Sequence, residues 1–464
     1  FTYAIQNHQK NNFKVAEDLY NKVIKIDPNY KDAHYNLGIM FQSLGSHQKA
    51  ITSYEKTIEI DPNYKDAHNN LGTILQELGK YQEALTSYEK AIEIDHSYID
   101  AHNNLGTLYK ILGKYEKEFI SYMTAIAHDS NNIISINNLS KSLQRLKLDN
   151  ESKINKTHLK KLILLLLKKD NINHNNIFYN AKSILFIDID DNQLKKDIDL
   201  GFLLLSNQIV KDLLKQQLFH LMLQKSLIVD EFFEKLLTKL RCEILFTISE
   251  PNKNILREYF DFIISSAEQS WLNEYVYIQS EKEASQIEQL KYKVENNKEI
   301  NELEIAILGC YIPLNSSKII INKLLNHKSS NILFNDLINL QIKEPLREIE
   351  LTKSIKSLDV IEDPTSKKVR DQYEENPYPR WRYTNILIPN NFFKWINAEI
   401  LPNIIEYNND FDKPNILIAG CGTGSHSISA MRYKNAKILG VDLSLASLAY
   451  AKRKTEELNI KNIE

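Results

Sequence analysis

Ile416-Leu417-Ile418-Ala419-Gly420-Cys421-Gly422-Thr423-Gly424 is a hydrophobic strand that runs straight into a glycine turn. Eighteen residues beyond Gly424, the apolar run Ile438-Leu439-Gly440-Val441 ends in Asp442. A strand, a Gly-x-Gly-x-Gly turn, a helix and an acid-tipped second strand together build a site for a nucleotide-like cofactor. The glycines let the backbone approach a ligand where a Cβ would collide. The carboxylate can accept hydrogen bonds from two ribose hydroxyls.

The pattern resembles the opening of the class I S-adenosylmethionine-dependent methyltransferases. The resemblance implies S-adenosyl-L-methionine as cofactor, held by Gly420, Cys421, Gly422, Thr423, Gly424, Asp442 and Leu443. A dinucleotide fingerprint, Gly-x-Gly-x-x-Gly/Ala, would put its third small residue at Ser425 and leave Gly424 unexplained. One departure stands out: Ile418 occupies a position where many members of that family carry an acid. Cys421 fills a variable slot with no base partner in sight, so it is not read as a nucleophile.

Glycine placement divides the chain. Of 12 glycines, six (Gly38, Gly45, Gly72, Gly79, Gly106, Gly113) form two series spaced by 34 residues, and four more lie in the C-terminal motif. The same period places Ala33, Ala67 and Ala101 in register, with His34, His68 and His102, and with Tyr20, Tyr54, Tyr88 and Tyr122. This resembles the tetratricopeptide repeat, a helix-turn-helix unit that stacks into a solenoid. Pro28 and Pro62 close their repeats, but His96 and Ser130 stand where later prolines are expected, and Glu118 replaces a small alanine.

Asn36, Asn70, Asn104 and Asn138 share one position on the first helix of each repeat. The resemblance puts that helix on the groove side. A carboxamide there can bracket a peptide amide whatever the side chain, so a protein or peptide partner is expected in the groove. The recurrent histidines are not read as metal ligands, because equivalent residues are a whole helix pair apart while zinc needs ligands at about 2 Å.

Residues 147 to 360 read as amphipathic helices with no evident chemistry. Their order of elements, including Gln269-Ser270-Trp271-Leu272-Asn273-Glu274-Tyr275-Val276, is similar to the middle segment of bacterial proteins that fuse such repeats to a methyltransferase. Six of the 11 prolines then crowd into residues 364 to 414, around Gln372-Tyr373-Glu374-Glu375-Asn376-Pro377-Tyr378-Pro379-Arg380-Trp381. Prolines at alternate positions force an extended path. Tyr373, Tyr378 and Trp381 are expected either to glue this linker down or to form a lid over the cofactor. A helix from Asn391 to Tyr407, broken or kinked at Pro402, is expected to lead into the strand at 416.

The expected architecture is mainly α: a repeat solenoid over 1–146, a helical middle domain over 147–360, a proline and aromatic linker or lid over 361–390, and the first half of a Rossmann-like α/β domain over 391–464. Phe1 in place of methionine, and an end where a third strand is due, read as a fragment at both ends. Net charge of −2 gives no general attraction to nucleic acid. No apolar run approaches the roughly 20 residues that span a bilayer. Three scattered cysteines, Cys242, Cys310 and Cys421, fit a reducing cytoplasm and neither a disulfide framework nor a zinc site. The function expected is methyl transfer to a partner recruited by the repeats; the alternative is an interaction scaffold whose methyltransferase domain is vestigial or only senses cofactor.

Overall fold

A computed structural model describes residues 1–146, 155–186, 191–250, 253–357, 362–375, 377, 380–385, 387, 389–399 and 413–464. The chain divides into two compact units, Phe1–Ser152 and Lys153–Glu464. The fold is mainly α, with a small parallel sheet near its C-terminus.

In the first unit, helices Lys31–Ser43 and His47–Ile60, Lys65–Glu77 and Tyr81–Ile94, and Ile99–Ile111 and Tyr115–His128 form successive antiparallel pairs. Each turn inside a pair rests on a glycine in the left-handed region: Gly45, Gly79 and Gly113 have φ of 68°, 75° and 69°. The other glycine series allows contact between the helices. A Cβ on Gly38, Gly72 or Gly106 would lie 2.5, 2.8 or 2.6 Å from the rings of Tyr54, Tyr88 and Tyr122, which are buried in the same pair.

The two missing prolines cost the array little, because the preceding aspartate shapes the turn. Asp27, Asp61, Asp95 and Asp129 end their helices in extended backbone, and each carboxylate accepts from the amide two residues on at 2.9–3.0 Å. The histidine series follows the same loop. Nε2 of His34, His68 and His102 bonds the carbonyl six residues earlier, of Pro28, Pro62 and His96, at 2.9–3.0 Å. Between repeats, Lys31 pairs with Asp61 and Lys65 with Asp95, both at 2.6 Å. Glu118 is fully buried, and its carboxylate receives the guanidinium of Arg145, just beyond helix Ile133–Leu143.

The second unit opens with a bundle of short helices. A π-helical turn at Asn339–Lys343 swings Gln341 inward. Its amide donates to the carbonyls of Ala267 (3.0 Å) and Gly309 (3.3 Å) and accepts from Leu314 N (3.1 Å), satisfying buried backbone from three segments at once. His174 is 1% exposed, its Nε2 bonds Lys169 O at 2.8 Å, and its ring meets Tyr383 edge-on at 4.9 Å. Burial, with Lys225 second, lowers its pKa from 6.5 to about 4. The unfolded chain therefore binds more protons between those values, and the second unit is expected to lose about 3 kcal/mol of stability as pH falls from 6.5 to 4. Urea titrations across that range should show a shallower slope for His174→Gln; an unchanged slope would mean the ring is not held neutral.

The C-terminal sheet pairs β1 (Asn415–Ala419) in parallel with β2 (Lys437–Val441), with Asn415 opposite Lys437 and Ala419 opposite Val441. Residues 462–464 add a further parallel pairing on the free edge of β2, through Ile438 N to Asn462 O and Glu464 N to Ile438 O, both 2.9 Å. One face of the sheet packs Ile416, Ile418 and Ile438 against Ala430 and Ala436; Leu417 and Leu439 on the other face are exposed. The helix ahead of β1 runs Phe392–Glu399, and the break expected at Pro402 lies outside the described residues. The segment read as an extended linker begins instead as a helix, Pro364–Glu375, whose first residue needs no amide hydrogen.

Candidate functional site

The glycine turn leaves β1 at its carboxyl end. The amides of Gly420 and Cys421 both donate to Val441 O, at 2.8 and 3.0 Å, which ties the turn to the end of β2. Gly420, Gly422 and Gly424 have φ of 69°, 52° and 86°, a region that side chains other than glycine enter at a cost. Their surroundings differ. A Cβ on Gly424 would lie 2.7 Å from Ala451 Cβ, so this glycine lets helix Leu445–Glu457 close on the turn. Gly420 and Gly422 have nothing within 4 Å of that position, so their backbone borders open space.

Asp442 completes the turn. Its Oδ2 accepts from Gly422 N at 2.8 Å and its Oδ1 from Ser444 N at 3.0 Å. Each carboxylate oxygen retains a lone pair for a further donor. Leu443 beside it is exposed. Thr423 and Cys421 are buried beneath the turn. Burial, followed by the Asp442 charge, pushes the Cys421 thiol up to about 11, which keeps it protonated and poorly nucleophilic. Among the described residues no group of three His, Cys, Asp or Glu side chains could hold a metal ion.

Of the three residues expected to glue the linker down or form a lid, Trp381 reaches the turn directly, its Nε1 donating to Thr423 O at 3.0 Å. The ring also lies 5.0 Å beneath the ammonium of Lys454 and meets Tyr450 edge-on. Tyr373 arrives through its carbonyl, which accepts from Ser444 Oγ at 3.0 Å. Tyr378 lies outside the described residues.

Residues with no sequence signal complete the frame. The Glu374 carboxylate accepts from Leu445 N (2.5 Å) and Ala446 N (3.2 Å), capping the helix that follows Asp442. Arg453 of that helix is 4% exposed and pairs with Glu344 (3.0 Å) and Glu348 (2.8 Å) of helix Glu344–Thr352. Burial pushes both carboxyls up while Arg453 pulls them back down.

In the repeats, Asn36, Asn70, Asn104 and Asn138 are all half-buried. Asn36 Nδ2 donates to Asp32 O within its own helix at 2.7 Å. Asn104 Nδ2 donates to Asn69 Oδ1 (2.9 Å), Asn69 Nδ2 to Asn70 Oδ1 (3.4 Å), and Asn70 Nδ2 to Tyr35 OH (3.1 Å). Asn70 and Asn104 thus take part in a polar chain that joins three repeats.

Models of the TPR repeat match residues 7–45 and 73–113, and models of the tetratricopeptide repeat match 32–64, 53–86 and 99–132. A methyltransferase domain model matches residues 416–464. No curated protein matches the chain significantly. Among solved structures, a crystal structure of MamA is 25% identical, covering 31% of this chain and 83% of that chain, with a TM-score of 0.29. MamA from Desulfovibrio magneticus RS-1 is 22% identical, covering 31% and 81%, with a TM-score of 0.29. The first TPR domain of human RPAP3 is 24% identical, covering 25% and 92%, with a TM-score of 0.25.

Proposed function

The chain joins tetratricopeptide repeats to a methyltransferase domain, and from that premise we propose that it transfers a methyl group from S-adenosylmethionine to a protein or peptide brought by the repeats. The observation that carries the reading is the junction of Asp442 with Gly422, where a carboxylate with spare acceptor capacity meets glycine backbone bordering open space. The cofactor supplies an activated methyl sulfonium, so the protein's own contribution is to bind and align. In this reading Asp442 takes the ribose hydroxyls, Gly420 to Gly424 line the cofactor, Leu443 flanks it, and Tyr373, Tyr378 and Trp381 cover it. Scattered cysteines support a reducing cytoplasm as the site of action, and no described helix is long and apolar enough to cross a membrane.

Two charge-assisted hydrogen bonds depend on Asp442, so Asp442→Ala is expected to raise the dissociation constant of S-adenosylhomocysteine by more than about tenfold. Calorimetric titration with that product, and separately with NAD, tests the assignment. Binding of NAD alone would replace methyl transfer with a dehydrogenase. Binding of neither would favour the scaffold reading, to which Ile418, where the family often has an acid, lends some support.

For the partner, we infer that Asn36, Asn70, Asn104 and Asn138 bracket the peptide backbone with the hydrogen-bonding capacity their repeat contacts leave over. Asn70→Ala with Asn104→Ala is expected to weaken a captured peptide by about 1–2 kcal/mol per lost paired amide. Because both amides also join repeats, the thermal midpoint should fall slightly. Equal peptide affinity in wild type and double variant would place recognition elsewhere.

A further inference from the structure

Arg380-Trp381-Arg382-Tyr383 sends its side chains to two places: both arginines and Tyr383 reach the helical bundle, and Trp381 alone reaches the glycine turn. Arg382 enters the helical bundle, where its guanidinium meets Glu268 of helix Phe260–Leu272 at 2.5 Å; Glu268 is 1% exposed. Arg380 lies over the Trp271 ring at 4.6 Å and 3.7 Å from Glu274, at the end of the same helix. Glu274 and Tyr275 there hold left-handed backbone, with φ of 58° and 59°, a costly geometry for two successive residues with side chains. Trp381, between the two arginines, turns the other way and donates its indole N–H to Thr423 O, midway between Gly422 and Gly424.

The backbone of this run is clamped as well. Trp381 N donates to Tyr450 OH at 3.1 Å, Tyr450 OH donates back to Trp381 O at 2.5 Å, and Lys454 Nζ donates to Arg382 O at 2.9 Å. A continuous path of polar contacts therefore runs from a buried carboxylate in the helical bundle to the peptide at the heart of the glycine turn. Burial pushes the Glu268 carboxyl up and Arg382 opposes it.

We propose that residues 380–382 are a clasp through which the helical bundle sets the conformation of the glycine turn, with Trp381 as a positioning residue and Glu268 as its remote anchor. The bundle is then part of the cofactor site and not a spacer. This rests on the cofactor reading above only for its functional consequence; the mechanical coupling is independent of it.

The test is hydrogen exchange at Gly420 to Ser425 in the ligand-free chain, followed by titration with S-adenosylhomocysteine. Trp381→Phe keeps an aromatic ring but removes the pyrrole half of the indole with its N–H, so exchange in the turn is expected to quicken, and the product's dissociation constant to rise, by about three- to tenfold. Glu268→Gln, or Arg382→Lys should the first variant unfold, is expected to quicken exchange in the same turn. In the double-mutant cycle of Trp381→Phe with either variant, the effects should fall well short of additive. A residue that merely stabilises the fold would lower the melting point and leave local exchange in the turn unchanged. Wild-type exchange at Gly420–Ser425 in Trp381→Phe, or additive effects in the cycle, would overturn the clasp. If the wild-type chain binds no S-adenosylhomocysteine, the cofactor reading fails while the exchange data still decide the coupling.

Discussion

Gly422→Val is expected to abolish binding of S-adenosylhomocysteine while leaving the repeat unit unaffected. Gly422 has a φ of 52°, and a β-branched side chain in that region costs on the order of 1–3 kcal/mol. Nothing lies within 4 Å of where its Cβ would project, so the isopropyl group would occupy the space the cofactor reading assigns to ligand. The Gly422 amide is also the donor to Asp442, so a strained backbone at 422 would misplace the proposed ribose anchor as well. Calorimetry on the variant, with the helical signal monitored alongside, separates lost binding from lost fold. Retained binding within about threefold of wild type would place the cofactor away from this turn.

Arg145→Ala should destabilise the repeat unit by about 3–5 kcal/mol, because it leaves the Glu118 carboxylate buried without its partner. Glu118 is fully buried, whereas the Arg145 side chain is 28% exposed, so water admitted at the arginine's place should hold the loss toward the lower figure. The companion variant tells more. Glu118→Ala together with Arg145→Ala restores the small residue found at Ala16, Ala50 and Ala84 and removes the stranded charge. It should recover much of the lost stability in urea melts followed by circular dichroism. A double variant no more stable than Arg145→Ala would show that Glu118 holds the array through packing and not through charge.

Legibility from sequence followed the range of the interaction. The 34-residue period was readable because each repeat contacts mainly its neighbours, so the glycine against Tyr54, Tyr88 or Tyr122 and the aspartate at each loop recur at fixed offsets. The glycine turn and Asp442 were readable for the same reason: one strand–turn–helix–strand passage brings them together within 20 residues. The asparagine series was visible as a period, but its bonds to Asn69 and Tyr35 were not, since those depend on how one repeat seats on the next. His96 and Ser130 stand where prolines close the earlier repeats, and the retained carboxylates of Asp95 and Asp129 show why the turns persist without them.

By itself, then, the amino-acid sequence determined the elements whose partners lie nearby in the chain: the stacked helix pairs, their glycine turns, and a parallel strand pair tipped with glycine and aspartate. Tertiary structure alone decided that Arg382 finds Glu268 across 114 residues, that Arg453 finds Glu348 across 105, and that Trp381 closes on Thr423. The physical reason is that periodicity and turn chemistry are written in φ/ψ preferences and burial patterns of short segments. A buried ion pair or a single indole hydrogen bond leaves no such pattern. It exists only once distant helices have packed and excluded water, making an unpartnered charge too costly to keep.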